Sequence, residues 1–402
     1  MECGAIQINA PPSLISLAVG MPNPDMFPFE EATVKLRNGK SLQISAKQMK
    51  TGLQYAPSPG VPAFRKVLCD MQKKIHNLTY EPEIFVTTGS QDGLSKTFEM
   101  CMNVNDYVLM EEPSYPGALG ILKPYHPRVL ALEGDRDGIK PESLRRALSL
   151  WKPSDAQTDA DMPKILYVIP NGGNPTGTSL TYERKQEIYQ IASDYDLLII
   201  EDDPYYFLQF AEKPSPSFLS MDVDGRVMRF DSFSKVLSAG LRVGFMTGPK
   251  PLMQRIEYHI QVSLLHTSAL AQILILELLK DIGHAGFMDH VTNVRNFYMS
   301  QKEKMIAAAT KHLKGLAEWN EPTGGMFVWI NVPGVKDTSK MISERALKKE
   351  VLLAPGNAFL ADSTRPSSYV RASYSLASEV ELDKHCGSAV KPCDHRSITS
   401  VC

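Results

Sequence analysis

Between residues 84 and 230 the chain repeats one pattern: a short unbroken apolar run, a polar cluster, then a helical stretch. The runs lie at 84–88, 107–110, 165–169, 197–200 and 227–230. Strands that are apolar throughout, rather than at every second position, are buried on both faces. The pattern therefore predicts an α/β fold, with a mostly parallel sheet covered by helices on both sides. Open sheets of this kind bind ligands beyond the carboxyl ends of their strands. The polar clusters fall at those ends: Gly89-Ser90-Gln91, Pro113 to Tyr115, Pro170 to Asn174, Asp202 to Tyr205, and Asp231 to Lys235. Solvated loops have no reason to keep that rule five times.

The last cluster carries the most specific chemistry. Ser232 and Ser234 precede Lys235, and Arg242 follows between Gly240 and Gly244. A desolvated lysine amine is a nucleophile toward aldehydes. Ser232 and Arg242 can hold an anion, and the glycines permit close backbone approach. An aldehyde and a phosphate on one molecule describe pyridoxal 5'-phosphate, against the plainer reading of a polar loop with a surface lysine. Gly89-Ser90-Gln91 opens a helix directly after a strand, a place that favours a phosphate. The pyridine nitrogen calls for a carboxylate. Asp202 and Asp203 both end a strand, and the residues alone do not choose between them. Tyr115 can stack on a ring, and Asn174 and Tyr205 can meet its hydroxyl.

The rest of the chain frames this region. Helical spacing covers 269–281 and 287–313, followed by a strand at 326–332, a helix at 339–350 and strands at 351–354 and 369–373. That is a mixed region of its own. The organisation expected is a short arm at 1–15, part of a small domain at 16–41, a large domain at 42–285, the remainder of the small domain at 286–383 and an atypical tail at 384–402. A formal net charge of -2 over 402 residues gives no basis for binding nucleic acid or an anionic membrane. No apolar run reaches membrane-spanning length. Six scattered cysteines indicate a reducing compartment, and the N-terminus carries no readable signal or transit segment.

With these residues in view, the chain resembles the fold-type I PLP-dependent aminotransferases, within them the kynurenine/2-aminoadipate group. The matching stretches include Gln54-Tyr-Ala-Pro-Ser-Pro-Gly60, Pro170-Asn-Gly-Gly-Asn-Pro-Thr-Gly177, Ile200-Glu-Asp-Asp-Pro-Tyr-Tyr206, Asp231-Ser-Phe-Ser-Lys235 and Tyr369-Val-Arg-Ala-Ser373, and the likeness runs from about residue 11 to about 383. The resemblance implies a large PLP-binding domain with a smaller α+β domain. It also implies transfer of an amino group from L-kynurenine, L-2-aminoadipate or a similar amino acid to 2-oxoglutarate, in two half-reactions.

Residue roles follow from the same resemblance. Lys235 would hold the cofactor aldehyde and later move the Cα proton. Asp202 would pair with the ring nitrogen, Tyr205 and Asn174 would hold the ring oxygen, and Tyr115 would stack. Ser90, Gln91, Ser232 and Arg242 would bind phosphate, joined by Tyr55 from a partner subunit, so a homodimer with shared sites is implied. Arg371 and Asn174 would take the substrate carboxylate, with Gly20, Met21, Leu265 and Phe327 around it. The compartment implied is the mitochondrial matrix, with the cytoplasm as the alternative. No metal site is expected: Cys386, Cys393, His395 and Cys402 fit no zinc spacing.

The ends depart from the family pattern. The arm is short, and the helix announced by the capping box at Ser378 to Glu381 is expected to fail beyond Lys384, where Gly387 and Pro392 interrupt it. Three other functions compete with transamination: a cysteine-conjugate β-lyase, a catalytically impaired partner of the same fold, and a PLP-binding regulator. The regulator would need a DNA-binding domain ahead of Ser16, for which these residues are too few.

Overall fold

The computed structural model describes residues 20–158 and 160–390, so the expected arm, Cys393, His395 and Cys402 lie outside the described residues. A seven-stranded sheet forms the centre. Its strands are β1 (Glu83–Thr87), β2 (Tyr107–Glu111), β3 (Arg128–Leu132), β4 (Ile165–Val168), β5 (Leu198–Asp202), β6 (Val227–Ser232) and β7 (Gly244–Gly248). They lie in the order β1-β7-β6-β5-β4-β2-β3, and all but β7 run one way. Ile84, Val108, Leu109, Leu166, Ile199, Ile200 and Phe230 are fully buried, as unbroken apolar strands require.

Helices α1 (Pro62–His76), α2 (Ser90–Cys101), α3 (Pro116–Leu122), α4 (Tyr182–Asp194) and α5 (Lys250–Ser263) cover this sheet. The Thr181 side chain caps α4 by accepting from the Arg184 amide at 3.3 Å. The five expected strands are all present. The expected pattern lacks β3, of which only Leu132 is fully buried, and β7, which begins inside the lysine motif.

The chain then leaves along α6 (Ala269–Leu313), in which the two expected helices follow one another across a kink: Gly283, at φ 63° and ψ -177°, is not helical, a conformation open to glycine. Beyond it, β8 (Glu318–Trp319), β9 (Phe327–Asn331), β10 (Ala354–Pro355) and β11 (Tyr369–Ser373) form an antiparallel sheet in the order β8-β9-β11-β10. The helix expected at 339–350 is instead a short turn at Thr338–Lys340, a wider-wound segment at Met341–Ala346 and a tight one at Leu347–Lys349.

The final helix, α7 (Glu379–Val390), corrects the expectation that it fails beyond Lys384. Ser378 and Glu381 form the capping box, and the helix continues through Gly387. It holds because it has a face to bury. Leu382 and Cys386 pack with Met305 and Ala308 of α6 and Val370 and Ala372 of β11, while Asp383 accepts from Lys311 and His312. Tertiary burial outweighs the local cost of one glycine, about 1 kcal/mol. Leu382→Ala is expected to cost about 2–4 kcal/mol in a denaturant melt; a loss below about 0.5 kcal/mol would show that α7 does not pack there.

Candidate functional site

Register across three strands assembles one half of the site. Ser232 pairs with Gly244, and Gly244 pairs with Thr87, so the ends of β6 and β1 and the start of β7 meet at one edge. A Cβ on Gly244 would stand 2.7 Å from the Asp231 carbonyl oxygen and 2.9 Å from the Gly89 and Ser90 backbone. Gly89, with φ of 80°, has the Arg242 guanidinium where a side chain would go. The two glycines thus let Arg242 lie against the turn that opens α2. Its Nη1 donates to Ser234 Oγ at 3.3 Å and to the Ala239 carbonyl at 3.1 Å, and its Nη2 to the Thr88 carbonyl at 3.3 Å. Ser90 begins α2, Gln91 donates to the Gly117 carbonyl, and Ser232 accepts from the Ser234 amide. A guanidinium, two hydroxyls and a helix N-terminus in one basin suit a dianion.

Lys235 stands beside this basin, half-buried, its Nζ 5.9 Å from the centre of the Tyr205 ring. Burial, then the Arg242 and Arg371 guanidinium groups, lower its pKa and favour the neutral amine. Asp202, at the end of β5, is 2% exposed; its Oδ2 accepts from the Tyr167 hydroxyl at 2.9 Å. Its Oδ1 is buried with no hydrogen-bond partner among the described residues. Burial pushes this carboxyl up to about 7, against the Tyr167 hydrogen bond, which lowers it.

The neighbouring Asp203 has different surroundings. Its Oδ2 accepts from Arg229 at 2.9 Å and from Asn171 at 2.8 Å, although its Oδ1 is also without a partner. Arg229 is fully buried and also meets Glu201 at 3.1 Å and Asp231 at 2.8 Å. Asp202 instead acts on Tyr115 and Tyr205, whose pKa values are raised by burial and then by its charge. The pair left open by sequence is separated by environment: Asp203 is tied to Arg229, and Asp202 faces the tyrosines. Tyr167 and Arg229 are not among the expected site residues. Their signal is a lone hydroxyl and a lone charge inside otherwise apolar strands.

The antiparallel sheet supplies the far wall. Arg371, in β11, donates from Nη1 to Asn174 Oδ1 at 2.8 Å. Its guanidinium lies 4.2 Å from the Phe327 ring centre and 4.9 Å from that of Phe359, which fixes the plane of the fork. Phe327 in turn meets Tyr205 edge-on at 6.1 Å. Gly20, Met21, Tyr55 and Leu265 are exposed, and among the described residues none makes a hydrogen bond or ring contact with Lys235, Asp202 or Arg371. Tyr55 rests edge-on against His266. Among the described residues no His, Cys, Asp and Glu cluster is arranged to hold a metal ion.

Comparison with known proteins agrees with this geometry. Residues 12–388 match the family described as aminotransferase class I and II. The chain is 50% identical over 384 residues to the mitochondrial kynurenine/alpha-aminoadipate aminotransferase of Bos taurus, covering 93% of this chain and 90% of that one. A Pyrococcus horikoshii kynurenine aminotransferase, solved with PMP, superposes with a TM-score of 0.79 at 29% identity, covering 86% of this chain and 83% of that one. A Thermus thermophilus alpha-aminoadipate aminotransferase, complexed with a phosphopyridoxyl-leucine, gives a TM-score of 0.77 at 28% identity, covering 86% and 84%.

The strained charge at Asp202 gives a test that does not depend on any ligand. A carboxyl raised from 3.8 to about 7 destabilises the fold wherever it is ionised, so its contribution to stability falls as pH rises toward 7. In the ligand-free chain, Asp202→Asn is expected to add on the order of 2–4 kcal/mol at pH 8 and far less at pH 5. A lower thermal midpoint for the variant at pH 8 would contradict this reading of the site.

Proposed function

The chain belongs to the class I and II aminotransferases, has their fold-type I architecture and uses pyridoxal phosphate; we propose that it moves the amino group of L-kynurenine, L-2-aminoadipate or a similar amino acid to 2-oxoglutarate. One observation carries the assignment of residues. A desolvated lysine, a buried carboxylate oxygen with no partner and two guanidinium groups converge at one sheet edge. The residues fit the cofactor. The unpartnered Asp202 Oδ1 is an acceptor awaiting a ring N–H, and a cationic partner there would relieve its raised pKa. The glycine-made basin of Ser90, Gln91, Ser232 and Arg242 matches a phosphate dianion. Tyr115 would stack on the ring, and Tyr205 and Asn174 would hold its oxygen.

When bound, the cofactor supplies an electron sink that stabilises the carbanion left by loss of the substrate Cα proton. The chain supplies the rest. Arg371 binds the substrate carboxylate with the part of its fork not donated to Asn174, and the flanking Phe327 and Phe359 hold that fork in one plane. This points the Cα proton toward Lys235. Burial and the two arginines keep the Lys235 amine in its proton-accepting form at lower pH than a free lysine. The same amine returns the proton at the other carbon, and a 2-oxo acid bound to Arg371 reverses the steps.

Tyr55 is exposed, and its side chain is free to reach across a homodimer interface to the partner's phosphate. Gly20, Met21 and Leu265 would border the substrate in that assembly. The mitochondrial matrix is proposed as the compartment, in line with the mitochondrial relative from Bos taurus.

Steady-state assays test the proposal. With 2-aminoadipate and 2-oxoglutarate, double-reciprocal plots are expected to be parallel, as for two separate half-reactions. Lys235→Ala is expected to lower kcat at least about a thousandfold, and Arg371→Lys to raise KM for the donor roughly tenfold or more with a smaller change in kcat. Intersecting lines, or a Lys235→Ala variant with most of its activity, would overturn the reading.

A further inference from the structure

Adjacent carboxylates at the end of β2 have unequal fates. Glu112 is tied to the small domain: Oε2 accepts from Arg365 at 2.8 Å and Oε1 from the Ala361 amide at 3.1 Å. Glu111 forms no hydrogen bond or ion pair among the described residues. Its carboxylate lies against Gly134, where a Cβ would collide with Oε1. The guanidinium groups nearby are engaged elsewhere. Arg184 holds Asp135 with both Nη1 and Nη2, at 2.6 and 2.8 Å, and Arg365 holds Glu112. Burial, with the Asp135 charge adding to it, pushes Glu111 up to about 7, and the Arg184 charge opposes this only in part.

Glu111 borders a cavity of about 580 Å³ between the two domains. Its lining also includes Trp329 and Tyr369, with Glu318 beside them and Trp319 next in the strand. Trp329 and Tyr369 are stacked, 5.2 Å apart and 9° from parallel. With two carboxylates neutralised by arginines and two not, the lining carries an excess of negative charge. We propose that this interdomain cavity is a binding site for a small organic cation with a flat apolar body, its charged fork on Glu111 and its body against the Trp329 indole. A carboxylate takes an amidinium or guanidinium fork with two parallel hydrogen bonds, and an indole face attracts cations.

The site touches the catalytic region without sharing its residues. Trp329 meets Phe359 edge-on at 5.2 Å, and Phe359 is one of the two rings that hold the Arg371 fork. Glu111 also borders a small void lined by Tyr167 and Asn174. Occupation of the cavity therefore presses on the group that grips the substrate carboxylate.

Benzamidine is the probe, because its amidinium is charged and forms no stable adduct with the cofactor aldehyde. Two of the chain's three tryptophans line the cavity, so titrating the holoenzyme should give a saturable change in tryptophan fluorescence. The neutral isostere benzamide should bind at least about tenfold more weakly, a comparison that needs no variant. Glu111→Gln should weaken benzamidine to the level of benzamide while the uninhibited kcat stays near that of the parent. Bound benzamidine should also change KM for the amino donor to a finite plateau as its own site fills, with a smaller change in kcat; this readout alone rests on the carboxylate role proposed for Arg371. Equal binding of benzamide, no saturable signal, undiminished binding in Glu111→Gln, or simple competition with the donor would each overturn the proposal.

Discussion

Arg229 lies fully buried among Glu201, Asp203 and Asp231, three carboxylates carried by two neighbouring strands. Taking one cation and three anions out of water is costly unless each group finds partners. Here they do: Gln72 donates to Asp231, the Phe218 and Leu219 amides donate to Glu201, and Asn171 donates to Asp203. The arrangement tolerates little displacement of β5 against β6. The residues that follow its members, Asp202 after Glu201 and Ser232 to Lys235 after Asp231, inherit fixed positions. The chemistry proposed for the site depends on this lattice of charge behind the sheet edge, although none of its members faces the substrate region.

Two kinds of buried carboxylate therefore sit side by side for different reasons. Asp203 and Asp231 are matched by Arg229 and specify structure. Asp202 and Asp203 each keep one oxygen without a hydrogen-bond partner, but only Asp203 is held by a guanidinium; Glu111, farther along the edge and partly exposed, makes no hydrogen bond or ion pair among the described residues. An unmatched buried acceptor raises the free energy of the empty protein and lowers it when a suitable donor arrives. Groups that disfavour the empty state are thus the ones to read as ligand positions, and the matched ones as framework.

Much of this was legible in the residues. The unbroken apolar strands foretold the sheet, and the clusters at their ends foretold the edge where Lys235, Asn174, Tyr205 and Arg242 gather. Asp202 and Asp203 could not be told apart, because alternation puts them on opposite faces and only the tertiary neighbours reveal which face holds Arg229. Strand β3 escapes notice because most of it is only partly buried, and β7 because glycines at both ends of Gly244–Gly248 weaken its strand pattern. Helix α7 was expected to stop early because local propensity at Gly387 was weighed without the groove on α6 that receives Leu382 and Cys386. The place proposed for Tyr55 belongs to an assembly, which a single chain does not show.

The most direct test of the central claim is a spectrum taken in the absence of any oxo acid. Purified, cofactor-loaded protein is mixed with excess 2-aminoadipate and its visible absorption followed. If Lys235, Asp202 and Arg371 act together as argued, the aldehyde form of the cofactor gives way stoichiometrically to the amine form, and 2-oxoglutarate restores it. A protein that holds the cofactor yet leaves its spectrum unchanged with 2-aminoadipate, kynurenine and other amino acids would contradict the account.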